Sequence, residues 1–317
     1  MDGYMQESTL DVIIPTYKPG AEFGVVLNRL HSQTVQPGKI IIINTEEEFW
    51  NPEWEEEYPD ISVTHIAKQE FDHGGTRNMA AARSDAEYLV FMTQDAVPAD
   101  ANVLSGLLKP LKKGEAAVAY ARQIPKKNAG MIESYTRHFN YPAKGRIKSQ
   151  EDLPKLGVKT FFCSNVCAAY NHEIFDEMGG FDTPVILNED MLYAGRIIEA
   201  GMNVAYVADA RVYHSHAYSG RQQLHRNFDI GVSQKQNKEL FEKYPSEKEG
   251  IALVKKTASY ICKNGKVWML FPLFWKSGCK YIGYFLGKHY DRLPRRLDRK
   301  LGLDKEYWDR TEGTQEN

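Results

Sequence analysis

Leu10 to Pro15 is a short run of valine and isoleucine that stops at a proline and opens into Thr16, Tyr17, Lys18, Pro19 and Gly20. A segment apolar at nearly every position reads as a strand buried on both faces, as in a parallel sheet, emptying into a polar loop. Phe23, Val26, Leu27 and Leu30 follow at helical spacing, and Lys39–Ile43 supplies a second apolar run, which completes a βαβ unit. The pattern continues with a strand over Ile61–Ile66, a helix from about Thr76 to Arg83 and a strand over Tyr88–Met92. Beyond these the sequence predicts a helix over Val103–Leu111, a strand over Ala116–Ala121 and a polar stretch, Lys126–Gly157, without a clear period. A buried strand within Thr160–Tyr170, a helix over Met191–Ala200 and short strands at Val204–Val207 and Ala210–Tyr213 complete the alternation.

Strands alternating with helices predict an α/β, Rossmann-like domain with a mainly parallel sheet, whose ligands lie at the carboxyl ends of the strands. The alternation fades near Ser219. Past Arg221 come helical stretches in which Lys and Arg are mixed with aromatics, so the chain divides near residue 225 into an α/β domain, 1–225, and a helical C-terminal extension, 226–317. No repeat, heptad run or low-complexity tract interrupts it.

A chain of 317 residues, 42% hydrophobic and 26% charged, is long enough to bury a full core. Its formal net charge of -2 excludes nucleic acid as the main partner, because phosphate binding needs a basic excess. The opening MDGYMQESTLDV has early acids and no apolar run, so no secretory signal is expected and the cytoplasm is the expected location. Cys163, Cys167, Cys262 and Cys279 have no paired spacing and are expected to be buried thiols. The longest strongly apolar stretch, Val267–Trp275, is about half the roughly 20 residues that a spanning helix needs.

Three loops combine charge with small residues at predicted strand ends. In Phe71-Asp72-His73-Gly74-Gly75-Thr76-Arg77-Asn78 the glycines permit a tight backbone, and Arg77 is suited to grip a phosphate at a helix start. The competing reading is an ordinary Gly-Gly turn with a capping Thr. Phe91-Met92-Thr93-Gln94-Asp95-Ala96 puts one carboxylate directly after a strand, where Asp95 serves either as a ligand for a divalent cation such as Mg2+ or as a turn residue. Gly179-Gly180-Phe181-Asp182 leads through Asn188 to Glu189-Asp190, a carboxylate pair favoured by the helix dipole and equally able to supply a general base. His214 and His216 share a face if their segment is extended, which allows metal ligation, although such a pair is often structural. A zinc site made with Cys163 and Cys167 has no support from spacing.

Taken together, IIPTYK, TQDA in place of the usual DxD, GGFD and NED, in this order over roughly residues 10 to 220, resemble the inverting family 2 glycosyltransferases of the GT-A fold. FDHGGTRN, TQDA and ARQIP resemble, within that family, bacterial enzymes that transfer rhamnose from dTDP-rhamnose to surface polysaccharides. The resemblance implies that Pro15, Thr16 and Tyr17 lie beside the nucleotide, with Asn44 and Gln94 in the same region, and Arg77 and Asn78 near the diphosphate. It implies that Arg122 and Gln123 border the donor sugar, that Asp190 is the catalytic base with Glu189 beside it, and that Asp95 with His214 or His216 holds a divalent cation, Mg2+ or Mn2+. Two departures bear on this: Asn44 stands where the family usually has an acid, and Thr93 replaces the first acid of DxD.

The competing readings are a hexosyl or N-acetylhexosaminyl transferase on the same scaffold and a non-catalytic sugar-nucleotide-binding module, against which the Glu189-Asp190 pair argues. A dinucleotide-dependent dehydrogenase would need GxGxxG after the first strand, where this chain has Pro15-Thr16-Tyr17-Lys18-Pro19-Gly20. In the C-terminal region Trp268, Phe271, Phe274 and Trp275 precede a run of cations from Lys276 to Lys300 opposed only by Asp291 and Asp298. Aromatics beside cations suit a surface resting on anionic lipid, and the resembled enzymes commonly extend lipid-linked glycans at the cytoplasmic leaflet. The plainer alternative packs the aromatics against the α/β body.

Overall fold

A computed structural model describes residues 9–245 and 247–313. The first eight residues, part of the opening read above as lacking a signal sequence, lie outside the described residues. Among the described residues nine strands form one sheet: β1 (Leu10–Tyr17), β2 (Ile40–Thr45), β3 (Ile61–Ile66), β4 (Tyr88–Met92), β5 (Val97–Pro98), β6 (Val118–Ile124), β7 (Arg146–Lys148), β8 (Cys167–Asn171) and β9 (Val204–Tyr213). Their order is β3-β2-β1-β4-β8-β6-β9-β5, with β7 also pairing β9. β1, β2, β3 and β4 run parallel, as do β6 and β9, while β8 lies antiparallel between β4 and β6.

Side chains alternate across the sheet and fill two cores. Val12, Ile14, Ile40, Ile42, Val90 and Met92 face one core, whereas Ile13, Ile41, Ile43, Leu89 and Phe91 face the other. Strands buried on both faces explain why these segments read as unbroken apolar runs. The helix Glu22–His31 buries Phe23, Val26, Leu27 and Leu30 against the first core, as its spacing predicts. From β1 the chain builds outward through β2 to β3 and then returns to set β4 on the other side of β1. This reversal opens a crevice at the carboxyl ends of β1 and β4.

Several segments differ from expectation. Within Thr160–Tyr170 only Cys167–Asn171 belongs to a strand; Gly157–Thr160 is a 3-10 turn, and Ser164 and Asn165 leave the sheet to bond functional side chains. The two strands expected at Val204–Val207 and Ala210–Tyr213 are one strand, with a register shift opposite Ala121 and Arg122. The polar stretch Lys126–Gly157 holds a helix, Met131–Asn140, and β7. Cys163 and Cys167 are buried as expected, whereas Cys262 is exposed and Cys279 half-buried, because each of these two sits on a helix with an open outer side.

The division near residue 225 falls inside the helix Gly220–Gln236, which packs along the helix Leu270–Lys288. Gly231, Gly283 and Gly287 set this approach: a Cβ on any of them would collide with the carbonyl oxygen of Tyr284, Leu224 or Phe228 respectively. The last helix, Lys305–Gly313, turns back to the α/β body, where Tyr307 and Trp308 are buried with Phe228, Val232 and Ile186, and Glu306 pairs with Lys68 at 2.7 Å. Among the described residues no helix is long and apolar enough to cross a membrane.

Candidate active site

The ends of β1 and β4 are tied by Gln94, whose amide oxygen accepts from the Tyr17 backbone N–H at 2.7 Å and whose amide nitrogen donates to the Tyr17 carbonyl at 3.1 Å. This fixes the β4 loop, and Asp95 with it, beside the β1 loop. His214 follows β9, its backbone N–H donating to the Ile124 carbonyl at the end of β6. Asp95, His214 and His216 therefore meet at the carboxyl ends of three strands, with one ligand atom from each within 4.8 Å of the others. His214 Nε2 is 3.4 Å and His216 Nε2 3.2 Å from Asp95 Oδ2, and the two Nε2 atoms are 3.0 Å apart.

This donor set fits a divalent cation, and its supporting bonds give the reason. Gln123 donates its amide hydrogens to Tyr141 Oη and Ser164 Oγ and accepts at Oε1 from Arg137, so the amide has one orientation. His214 Nδ1, 2.9 Å from the same Oε1, must then carry the proton, which leaves an Nε2 lone pair facing the Asp95 carboxylate. Two acceptors facing each other are poorly satisfied unless a cation or a proton lies between them. A ligating histidine whose other ring nitrogen donates to an oxygen is the usual pattern around bound metals. Burial pushes the His214 imidazole down to about 3, which keeps it neutral and able to ligate.

Asp190 lies in the first turn of the helix Glu189–Glu199. Its Oδ2 accepts from the Asn165 backbone N–H at 2.9 Å and its Oδ1 from the Met191 N–H at 2.7 Å. Burial and the neighbouring Glu189 raise its pKa to about 7, against those two N–H bonds, which lower it. The result is a carboxylate poised near neutrality, as a general base requires. For Glu189, burial acts upward, but Arg77, His73 and the Asn165 amide together outweigh it and hold the pKa below the ordinary value.

Other residues expected to touch ligand are turned inward. Arg77 is buried; its Nη1 donates to the His73 carbonyl at 2.7 Å and lies 3.3 Å from Glu189 Oε1. Asn78 bonds both backbone groups of Phe181, and a Cβ on Gly74 would strike the Asp182 carbonyl, so FDHGGTRN and GGFD dock on each other. The anion at this helix start is the chain's own Asp72, which accepts from the N–H groups of Gly74, Gly75 and Val185. Asn44 is fully buried between Thr16, His65 and Glu46. Pro15 pairs with Ile43 inside the sheet, and Arg122, half-buried, donates to the Tyr141 carbonyl.

Beside Tyr17 lies a cavity of about 410 Å3, walled on the α/β side by Tyr17, Thr45, Lys68, Phe71 and His73. Its far wall comes from the C-terminal region: Arg226, Asp229, Leu303, Asp304 and Glu306. Neither this wall nor Asn165 follows from sequence pattern, although the polar Ser164-Asn165 pair inside an otherwise apolar run is a signal in hindsight. A larger hollow of about 490 Å3, lined by Tyr120, Phe139, Phe162 and Tyr206 among others, contains none of the residues singled out from the sequence. Its position at the carboxyl ends of β1, β2 and β3 favours the smaller cavity as the substrate site.

Comparison with known proteins agrees with this arrangement. The profile of glycosyl transferase family 2 matches residues 11–179. The O-antigen chain rhamnosyltransferase RfbN of Salmonella typhimurium (strain LT2) is 37% identical over 301 residues, covering 94% of this chain and 96% of that protein. The O-antigen chain rhamnosyltransferase WbaN of Salmonella anatum is 36% identical over 300 residues, covering 94% and 95%. Among solved structures, the mannosyltransferase PcManGT from Pyrobaculum calidifontis, in complex with GDP-Man and Mn2+, superposes with a TM-score of 0.54 at 15% identity, covering 94% of this chain and 84% of that one. Residues 1–349 of S. aureus TarS give 0.53 at 14% identity, covering 90% and 91%. At such identities these two neighbours establish the GT-A fold alone.

Proposed function

The chain belongs to glycosyl transferase family 2, and from that membership we propose that it transfers L-rhamnose from dTDP-rhamnose, with inversion, to a hydroxyl of a surface-polysaccharide acceptor. The observation that carries the chemistry is the Asp190 carboxylate, near neutral in pKa and aimed by two backbone N–H bonds. The choice of rhamnose rests on the two O-antigen rhamnosyltransferases that align over nearly the whole chain.

The reaction is a single displacement. Asp190 accepts the proton of the acceptor hydroxyl while that oxygen bonds to the anomeric carbon; the bond from that carbon to the β-phosphate oxygen breaks, and dTDP leaves with the electron pair. Attack from the side opposite the leaving group inverts the anomeric centre. The thymine nucleoside occupies the cavity beside Tyr17 and His73. Arg77 acts by holding Glu189, and through the shared Asn165 it steadies the segment that aims Asp190.

Asp95 Oδ2 with Nε2 of His214 and His216 would hold a divalent cation, Mg2+ or Mn2+, which when bound supplies positive charge beside the leaving diphosphate. Gln123 keeps His214 in the tautomer that ligates. The enzyme is assigned to the cytoplasm, peripheral on an anionic membrane face that presents a lipid-linked acceptor. Incubation with single nucleotide sugars tests the donor: dTDP-rhamnose should be consumed, and a chelator should stop its consumption.

A further inference from the structure

We propose that Arg226 grips the donor's diphosphate, in the span between the nucleoside cavity and the Asp95–His214–His216 cluster. This assignment rests on reading the chain as a nucleotide-sugar transferase, because that donor has a fixed order: base, diphosphate, sugar. With the base beside Tyr17 and the sugar near Asp190, the diphosphate must pass between them. A doubly charged group leaving water there needs a cation not already engaged elsewhere.

Three nearby cations are engaged. Arg77 is buried against Glu189 and the His73 carbonyl. Lys68 pairs with Glu306 at 2.7 Å, and Arg137 is held by Glu133 at 2.8 Å and by Gln123. Arg226 differs: it is half-buried, lines the cavity that Tyr17 lines, and among the described residues forms no ion pair.

Arg226 is also next to the cluster. Its guanidinium lies 5.8 Å from the centre of the Tyr218 ring, and that ring lies 5.1 Å from the ring of His216. One aromatic ring therefore separates Arg226 from a cluster residue, while its other side faces the cavity. Asp229, one turn farther along the helix, accepts from the Leu303 and Asp304 N–H groups and so faces the C-terminal segment. The helix that carries Arg226 is fixed by the close contacts at Gly231 and Gly287, so the guanidinium is held ready before the donor arrives. Lys280 of the helix Leu270–Lys288 is half-buried close by and adds to the positive field.

Calorimetric titration of wild type, Arg226→Lys, Arg226→Gln and Arg226→Ala with dTDP and with thymidine, each with and without Mn2+, tests the assignment. Arg226→Gln and Arg226→Ala should weaken dTDP binding by about 100-fold and leave thymidine binding unchanged, with Arg226→Lys between them, as expected for loss of a charge-assisted bond. The effect should persist without Mn2+. The Gln variant keeps most of the stem over Tyr218 and serves if the Ala variant fails to fold. Wild-type dTDP affinity in Arg226→Gln overturns the assignment, as does an equal loss for thymidine, which would make Arg226 a wall of the cavity. A wild-type protein that binds neither dTDP, UDP nor GDP overturns the donor reading and the assignment with it.

Discussion

At the scale of single residues, Asp190 carries the account. Asp190→Asn removes the proton acceptor, so kcat should fall by a factor on the order of 100 to 10,000 while dTDP binding stays near wild type. Wild-type kcat/KM should rise with pH to a plateau above about 7, the value to which burial and Glu189 push this carboxyl. The same shift has a cost in stability. Its folded value exceeds the ordinary 3.8, so the folded chain keeps a proton that the unfolded chain releases between those values, and stability falls as pH rises through that window. Asp190→Asn should therefore melt at a higher temperature than wild type at pH 8, and at the same temperature near pH 4; equal melting at both would contradict the burial of an ionised carboxylate. For the cluster, Gln123→Ala should weaken Mn2+ binding by about 10- to 100-fold, measured by electron paramagnetic resonance, because His214 loses the partner that fixes its tautomer. Unchanged Mn2+ affinity in Asp95→Asn would remove Asp95 from the site. The positions of Asp95, Asp190 and His214 at strand ends or a helix start were legible in the sequence, because each follows an apolar run or opens a helix. The places of Arg226, Asn165 and Asp72 were not, since the partners that surround each are brought near only by folding.

At the scale of elements, the legible strands were those buried on both faces, such as β2 and β4, whose β-branched runs allow no other period. Thr160–Tyr170 misled because its apolar residues serve two ends: Phe161 packs into a core while Ser164 and Asn165 turn to Gln123 and Asp190. FDHGGTRN and GGFD dock on each other around Asp72, while Phe71 and His73 of the first motif also line the cavity beside Tyr17. The helix pair Gly220–Gln236 and Leu270–Lys288 gives the clearest element-scale test. Gly283→Val would drive a side chain into the Leu224 carbonyl and force the helices apart, costing on the order of 1–3 kcal/mol and shifting Arg226 from the cavity. The expected result is a lowered melting temperature together with weakened dTDP binding. Loss of stability with unchanged dTDP affinity would mean that helix packing does not position the donor site.

At the scale of the whole molecule, the C-terminal region does two jobs that its sequence did not separate. One part returns to wall the cavity beside Tyr17 and bury Trp308; the other leaves Trp268, Phe271 and Trp275 at 69%, 78% and 62% exposure. Residues 250–290 contain no acidic residue, and Lys255, Lys256, Lys263 and Lys266 among their lysines are exposed. Such a face suits anionic lipid, each cation near the surface contributing about 1 kcal/mol. The protein should therefore sediment with anionic but not neutral vesicles, less so at high salt. Trp268→Ser with Phe271→Ser should reduce this without changing dTDP affinity, and equal recovery in the supernatant with both vesicle types would contradict it. The central claim is the identity of the donor, and one measurement addresses it most directly: turnover of dTDP-rhamnose beside UDP-glucose, UDP-GlcNAc and GDP-mannose, with Mn2+, by wild type and Asp190→Asn. The account predicts release of dTDP from dTDP-rhamnose by wild type, little from the variant and little nucleotide from the other three. Faster consumption of any of those three, or full activity of Asp190→Asn, would contradict it.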